Sequence, residues 1–409
     1  VNHYNPVPDM PEESAVPASP SPEGHDEALD IAFAVPQTHR LRMTTDLAGP
    51  QFAVLEQLLA IDVVPGTSAK VLLWVDAEVA AAGDFPLRLS QRLASSDAIN
   101  LVAPMMEVQG GEAVKNSEVV LRQMLSQIND HDLDRRSTII VVGGGAVLDA
   151  AGFAAAIAHR GIRLIRVPTT VLAQADSGVG VKNAINYFGK KNWIGTFAVP
   201  WAVINDASVL QTLPDRDFRS GFTEAVKVSL LKDAAGFEWL HHHADQIRAR
   251  ESRSCRVAIR ESCVHHLRHI TQGGDPFEML EARPLDFGHW SAHRLEPLTG
   301  YRLRHGEAVG IGVAIDCLYS SLVLGFPTHA AEKVIDCLRR LGVPLWDQAI
   351  DPVDRLFQGL EEFRQHLGGR LTITMLRDIG DPVDVHEIDT NAMAKAIQQL
   401  REMAGASAG

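Results

Sequence analysis

Apolar positions along the chain follow two different spacings, and the change falls near residue 205. Between about 28 and 205, short unbroken apolar runs alternate with helical stretches. Residues 71–76, 99–104, 137–142, 164–168 and 202–204 read as buried strands, and 146–159 as a helix of small residues. Strand and helix in alternation predict an α/β domain, a parallel sheet covered by helices. From 206 to 409 the spacing becomes helical, over 217–249, 251–272, 287–298, 305–325, 329–341, 351–367 and 390–404. One short strand, 371–376, interrupts this all-α half. Residues 1–27 are rich in Pro, Ser, Glu and Asp without apolar period, and read as a mobile tail.

Composition narrows the function. The chain has 409 residues, which suits two domains, and 46% are apolar, enough for two cores. The formal net charge of −13 argues against nucleic acid or an anionic membrane as partner. No apolar run is expected to reach the roughly 18 residues of a membrane span, and the N-terminal residues lack the pattern of a secretory signal. Cys255, Cys263, Cys317 and Cys337 form no C-x-x-C pair, which suits reduced thiols in a cytoplasmic protein.

Candidate chemistry is concentrated in a few segments. His289 and His293 lie four apart, so a helix stacks them on one face, and His305 follows after a Gly-containing connection. Glu224 is the best carboxylate to complete a His/His/carboxylate metal site with an open position. After the strand at 137–142, Gly143-Gly144-Gly145 opens a helix, an arrangement that lets backbone N–H groups approach a phosphate. Asp76 ends an earlier strand, where it can accept from ribose hydroxyls or cap a helix. Glu112 and Lys115, three apart, can pair with each other or hold an adenosine. The stretch from Arg160 to Asn192 carries Thr169, Thr170, Asp176, Lys182 and Lys191, a set suited to a polyhydroxylated phosphate. His241, His242, His243, His265, His266 and His269 read as solvated helix faces with no carboxylate spaced to close a metal site.

Taken in order, these motifs resemble the sugar phosphate cyclase superfamily, whose best-known member is 3-dehydroquinate synthase. The resemblance runs from about 70 to 380 and rests on Glu112 with Lys115, Gly143-Gly144-Gly145 with Asp149, Pro168-Thr169-Thr170, Asp176 with Lys182, Lys191-Asn192, Glu224 with Lys227, Gly288-His289 with His293, and His305-Gly306-Glu307. It implies a Rossmann-like NAD-binding domain over 28–205 and a helical metal- and substrate-binding domain over 206–409. It implies a divalent cation, usually zinc, on Glu224, His289 and His305, with His293 on a substrate position instead. Asp76, Glu112, Lys115, Gly143, Gly144, Gly145, Asp149, Thr169, Thr170, Thr212 and Leu213 fall on NAD positions. Arg160, Asp176, Lys182, Lys191, Asn192 and Lys227 fall on substrate positions, and the match to Arg160 in relatives reaches the neighbouring subunit, which implies a homodimer.

The departures are informative. Asp286 stands where dehydroquinate synthases have Asn, Ala282 where they have Arg, and Gln365-His366 near their lysine pair. Those lost cations serve a substrate carboxylate. Pro284, Asp286 and His366 look instead like 2-epi-5-epi-valiolone synthases, which act on sedoheptulose 7-phosphate. The implied reaction is transient oxidation by NAD, loss of phosphate, re-reduction and aldol closure. Other cyclases of the superfamily (2-epi-valiolone, desmethyl-gadusol, 2-deoxy-scyllo-inosose or 3-dehydroquinate synthase) and a metal-dependent alcohol dehydrogenase stay open as alternatives.

Overall fold

A computed structural model describes residues 29–188, 190–273, 275–277, 284–365 and 369–405, together with the backbone of His366. The tail expected over 1–27, Ala282 and the side chain of His366 lie outside the described residues. Two contact units are present, Val1–Gln37 and Thr38–Gly409. The described part of the first, residues 29–37, is exposed and without regular structure.

The second unit is built on a parallel sheet of seven strands: β1 (Leu41–Thr44), β2 (Ala69–Asp76), β3 (Ile99–Leu101), β4 (Met106–Val108), β5 (Thr138–Gly143), β6 (Arg163–Pro168) and, after a hairpin, β9 (Ala202–Asp206). Their order is β1-β9-β6-β5-β2-β3, with β4 continuing the β3 edge beside β2. The sheet is covered by α1 (Ala53–Leu59), α2 (Ala77–Ala82), α3 (Phe85–Ser95), α4 (Glu118–Asp130) and α5 (Gly145–Ile157). Strands buried on both faces need apolar residues at every position, which is why β2 and β5 read as continuous runs. Val71, Leu73 and Val75 face one core, Leu72 and Trp74 the other. After β2 the chain steps to β3 and β4 on one side, then returns to β5 on the other. That reversal leaves a crevice beyond the carboxyl ends of β2 and β5, where open α/β sheets bind ligands.

The hairpin β7 (Lys182–Tyr187) and β8 (Lys190–Phe197) is antiparallel and separate from the sheet. The remaining half is helical: α6 (Asp215–Ser220), α7 (Phe222–Lys232), α8 (Ala234–Arg248), α9 (Ser252–Gln272), α10 (His289–Leu298), α11 (His305–Val323), α12 (Thr328–Leu341), α13 (Val353–His366) and α14 (Thr390–Gly405). It includes a two-stranded ribbon, β10 (Ile373–Asp378) and β11 (Asp381–Val385), where one strand was expected. The helical stretch expected over 217–249 is broken into α6, α7 and α8, with Asp233 accepting from Gly236 N at the start of α8.

Val71, Leu73, Val75, Phe222, Val226 and much of α11 share one apolar core, so the sheet and the helical half are packed as one body. Helix α11, with 19 residues and a mean hydropathy of 1.3, is long and apolar enough to cross a membrane, contrary to the expectation that no run would be. Within the fold 83% of that window is buried by protein, so its apolarity serves the core.

Candidate active site at the sheet crevice

At the carboxyl ends of β2 and β5, Gly143 and Asp76 are so close that a Cβ on Gly143 would lie 3.3 Å from the Asp76 Cβ. Gly144 precedes α5 and offers no side-chain cap, leaving the first N–H groups of the helix for an anion. Thr169 N donates to Gly143 O at 3.0 Å, and Thr170 Cγ2 lies 3.4 Å from where a Gly144 Cβ would be. Asp76 does cap a helix: its Oδ1 accepts from Glu78 N at 2.9 Å. Burial raises its pKa. On the same rim, Thr212 packs against Gly83, and Leu213 is half-buried against the core.

Lys115 is buried and does more than pair with its neighbour. Its Nζ donates to Asp149 Oδ2 at 2.8 Å and touches Asn192 Oδ1, while Glu112 Oε1 stands 4.0 Å away. Glu112 in turn accepts from Asn186 Nδ2 at 2.9 Å. The 3-10 turn Glu112–Asn116 after β4, α5 and the hairpin β7–β8 are thus joined by one polar network.

The metal-type donors converge on the opposite side. Glu224 Oε1, on the first turn of α7, is 3.6 Å from His305 Nε2 and 3.8 Å from His289 Nε2. Among the described residues, these three form the group whose donor atoms lie within 4.8 Å of one another. Both Glu224 oxygens are buried and neither makes a hydrogen bond of ordinary geometry, although Lys227 Nζ lies against Oε2. Buried carboxylate oxygens left without bonds are costly, and a cation between them and two imidazoles removes that cost. The residues therefore fit a divalent ion.

Local backbone explains the convergence. Gly288 adopts φ +79°, and its carbonyl is so near α11 that a Cβ on Gly312 would come within 2.0 Å of it. Asp316 accepts from Gly288 N at 2.9 Å and from Trp290 Nε1 at 2.8 Å, fixing the entry to α10. A Cβ on Gly306 would meet Ser220 O at 2.0 Å, so only glycine lets the start of α11 approach the junction of α6 and α7. Glu307 then accepts from Arg304 N at 2.9 Å and from Arg216 Nε at 2.7 Å.

Each imidazole is oriented from behind. His289 Nδ1 donates to Phe287 O at 3.1 Å, and His305 Nδ1 faces Glu296 Oε2 at 3.3 Å, leaving both Nε2 atoms toward Glu224. Burial, Lys227 and the neighbouring histidines keep His289 well below its ordinary pKa. Burial also opposes charge on His305, but the carboxylates of Glu224 and Glu296 on either side of the ring prevail and raise it to about 9. Burial would raise Glu224; Lys227 and His305 outweigh it and lower the carboxyl to about 2. His293, one turn along α10, stacks near His305 with ring centroids 6.2 Å apart and stands outside the converging trio. Burial lowers it to about 4, so it is neutral at pH 7.

The family model for the 3-dehydroquinate synthase N-terminal region matches residues 105–220, and that for its C-terminal region matches 221–364. The 3-dehydroquinate synthase of Halorhodospira halophila is 36% identical over 303 residues, 73% of this chain and 84% of that enzyme. The chain belongs to the dehydroquinate synthase-like family of sugar phosphate cyclases.

Two solved structures share the family fold. ValA, a 2-epi-5-epi-valiolone synthase from Streptomyces hygroscopicus subsp. jinggangensis 5008 with NAD+ and Zn2+ bound, superposes with a TM-score of 0.81 at 24% identity, over 92% of this chain and 100% of that one. A 2-deoxy-scyllo-inosose synthase superposes with a TM-score of 0.72 at 22% identity, over 88% and 96%. The α/β N-terminal domain and helical C-terminal domain are those of this family.

Within this family frame, most of the candidate substrate residues surround the cation trio. Asp176, in a π-helical turn (Ala173–Ser177), feels Lys227 and Glu224. Burial raises its pKa less than Lys227 and His266 lower it, so it stays ionised. Lys191 Nζ donates to Glu296 Oε1 at 3.3 Å, and Asn192, at φ 55°, meets Lys115. Asp286 is half-buried; burial opposes its charge, but the Lys182 ammonium above all holds its pKa down. Arg160 is not brought to this site: it lies exposed beyond the far end of α5, whose 13 residues span about 20 Å.

Several functional positions carried no local signal. Glu296 stands in no motif of its own, yet it joins Lys191 to His305. The reading of the other histidines as solvated faces is corrected by the partners they meet. His241 meets Asp336 at 3.0 Å, His265 meets Asp233 at 3.1 Å, and His266 meets Asp176 at 2.6 Å. Arg166 is fully buried and donates to Gly178 O, Gly180 O, Lys182 O and Asn183 Oδ1, so the loop leading to Lys182 is folded around a guanidinium.

Proposed function

We propose that this chain cyclises sedoheptulose 7-phosphate to 2-epi-5-epi-valiolone with release of phosphate. The observation that carries this reading is Asp286, an ionised carboxylate beside Lys182, His289 and His293 at the mouth of the cation site. A like charge about 4 Å away at an effective dielectric of 20 is opposed by about 4 kcal/mol, so a substrate carboxylate is disfavoured there. A hydroxyl, in contrast, donates to it.

NAD on the Gly143–Gly145 crevice would supply a reversible hydride acceptor, and a divalent ion, zinc by preference, on Glu224, His289 and His305 would supply Lewis acidity. The chain's own groups do the rest. Lys182, Lys191, Asn192 and the neutral His293 hold the phosphate end, with Arg160 reaching the site of a partner copy in a homodimer. Asp176, Lys227 and Asp286 sort and orient the hydroxyls, and His366 is placed with them by resemblance alone. Several reaction steps share one site, so fixed placement matters more than one strong acid or base. Free, buried thiols at Cys255, Cys263, Cys317 and Cys337 suit a reducing cytoplasm.

Incubation with sedoheptulose 7-phosphate, NAD and zinc, read by phosphate release and product NMR, tests the proposal. A carbocycle with no net NADH is the expected result. The second reading is dehydroquinate synthesis, favoured by the identity to the Halorhodospira halophila enzyme. Preferential turnover of the carboxylated heptulosonate phosphate would establish it instead, and net NADH would point to an alcohol dehydrogenase.

A further inference from the structure

We infer that His266, on α9, is a positioning residue of the substrate site, whose Nδ1–H holds one oxygen of Asp176 so that the carboxylate meets substrate hydroxyls in one orientation. This deepens the proposed function and rests on it for its kinetic consequences.

The two residues lie 90 positions apart, yet Nδ1 and Oδ1 are 2.6 Å from each other with both side chains largely buried. An ionised carboxylate only accepts, so the ring must carry its hydrogen on Nδ1. A charge-assisted bond of this length is among the stronger kinds. The backbone beneath Asp176 is also unusual. Gly178 N bonds Ala173 O at 2.9 Å, an i to i+5 contact, and single π turns of this kind recur at functional sites.

Helix α9 clamps that turn twice, at positions four apart on one face. Ser262 Oγ donates to Ala175 O at 3.2 Å, and one turn later His266 takes Asp176. Gly180 makes room for the ring, since a Cβ there would sit 3.3 Å from His266 Nε2. Asp176 lies among Lys227 and Glu224, and a carboxylate free to rotate would turn onto the buried ammonium of Lys227 instead of a hydroxyl. His266 opposes that rotation without itself needing to touch the sugar.

Four variants and one spectrum decide the matter. H266A should raise KM for sedoheptulose 7-phosphate roughly ten-fold or more, the loss expected for a hydrogen bond to a charged group, with zinc content and NAD binding unchanged. H266N places an amide donor near the Nδ1 position and should recover most of the loss. H266Q, whose donor reaches the Nε2 position, should not. Independently of any substrate, 15N-histidine NMR should show His266 as the Nδ1–H tautomer, and D176N should change it. Equal kinetics in H266A, equal damage in H266N and H266Q, or an Nε2–H tautomer would overturn the inference. A wild-type enzyme inert toward sedoheptulose 7-phosphate would sink the proposed reaction, while the tautomer measurement would still decide the contact.

Discussion

Glu296 Oε2 stands 3.3 Å from Nδ1 of His305. Its other oxygen accepts from Lys191 at 3.3 Å, so one carboxylate orients a metal-type imidazole and a substrate-type lysine together. Carboxylates behind ligating histidines typically carry ten- to a hundred-fold in metal affinity. E296Q should therefore weaken zinc binding by roughly that factor and raise KM as well, measured by chelator competition and steady-state kinetics. Unchanged zinc affinity would show that the pair is incidental.

Removing a member of the trio should be more severe. E224A or H305A is expected to abolish both metal content and turnover. In E224A the buried Lys227 also loses its partner, which should cost about 3–5 kcal/mol of stability, read by urea unfolding of the metal-free proteins. Normal metal content in either variant would refute the ligand set.

Metal uptake should depend on pH with a definite sign. Without an ion, His305 keeps its proton up to about pH 9, whereas His289 is already neutral. An ion must displace that one proton, so apparent zinc affinity should rise with pH and level off near 9. Calorimetry in buffers of different ionisation enthalpy should count about one proton released at pH 7. Flat affinity between pH 6 and 9 would contradict the arrangement.

D286N removes the charge on which the substrate argument stands. Activity on sedoheptulose 7-phosphate should fall, and discrimination against a carboxylated substrate should relax. If the variant works at the wild-type rate with the wild-type preference, that argument has failed.

R166M should lose several kcal/mol of stability, because the carbonyls of Gly178, Gly180 and Lys182 would be left without the guanidinium. A melting temperature within a degree or two of wild type would show that the loop finds other donors.

The elements that could be read from sequence have either burial on all sides or a regular one-sided apolar spacing, as in α12 and α14. β2, β5 and α11 are covered on all sides, so their composition alone marks them. The hairpin β7–β8 gave no strand signal because β8 is mostly exposed and opens on Lys190-Lys191-Asn192. The breaks at Gly221 and Asp233 were hidden because both helices beyond them keep the same apolar spacing. For the site, Glu224, His289 and His305 stood out as unusual residue types in short motifs. Glu296, His266 and Arg166 did not, since each acts through a partner that only the tertiary fold supplies.

The crossing of Gly288 against Gly312 has a consequence for any mutational survey of this enzyme. The carbonyl of Gly288 occupies the space that a methyl on Gly312 would need, and the next residue in the chain is His289. A methyl group introduced on α11 would shift the imidazole without contacting ion, nucleotide or sugar. Such a position would score as essential for turnover while contributing no chemical group of its own.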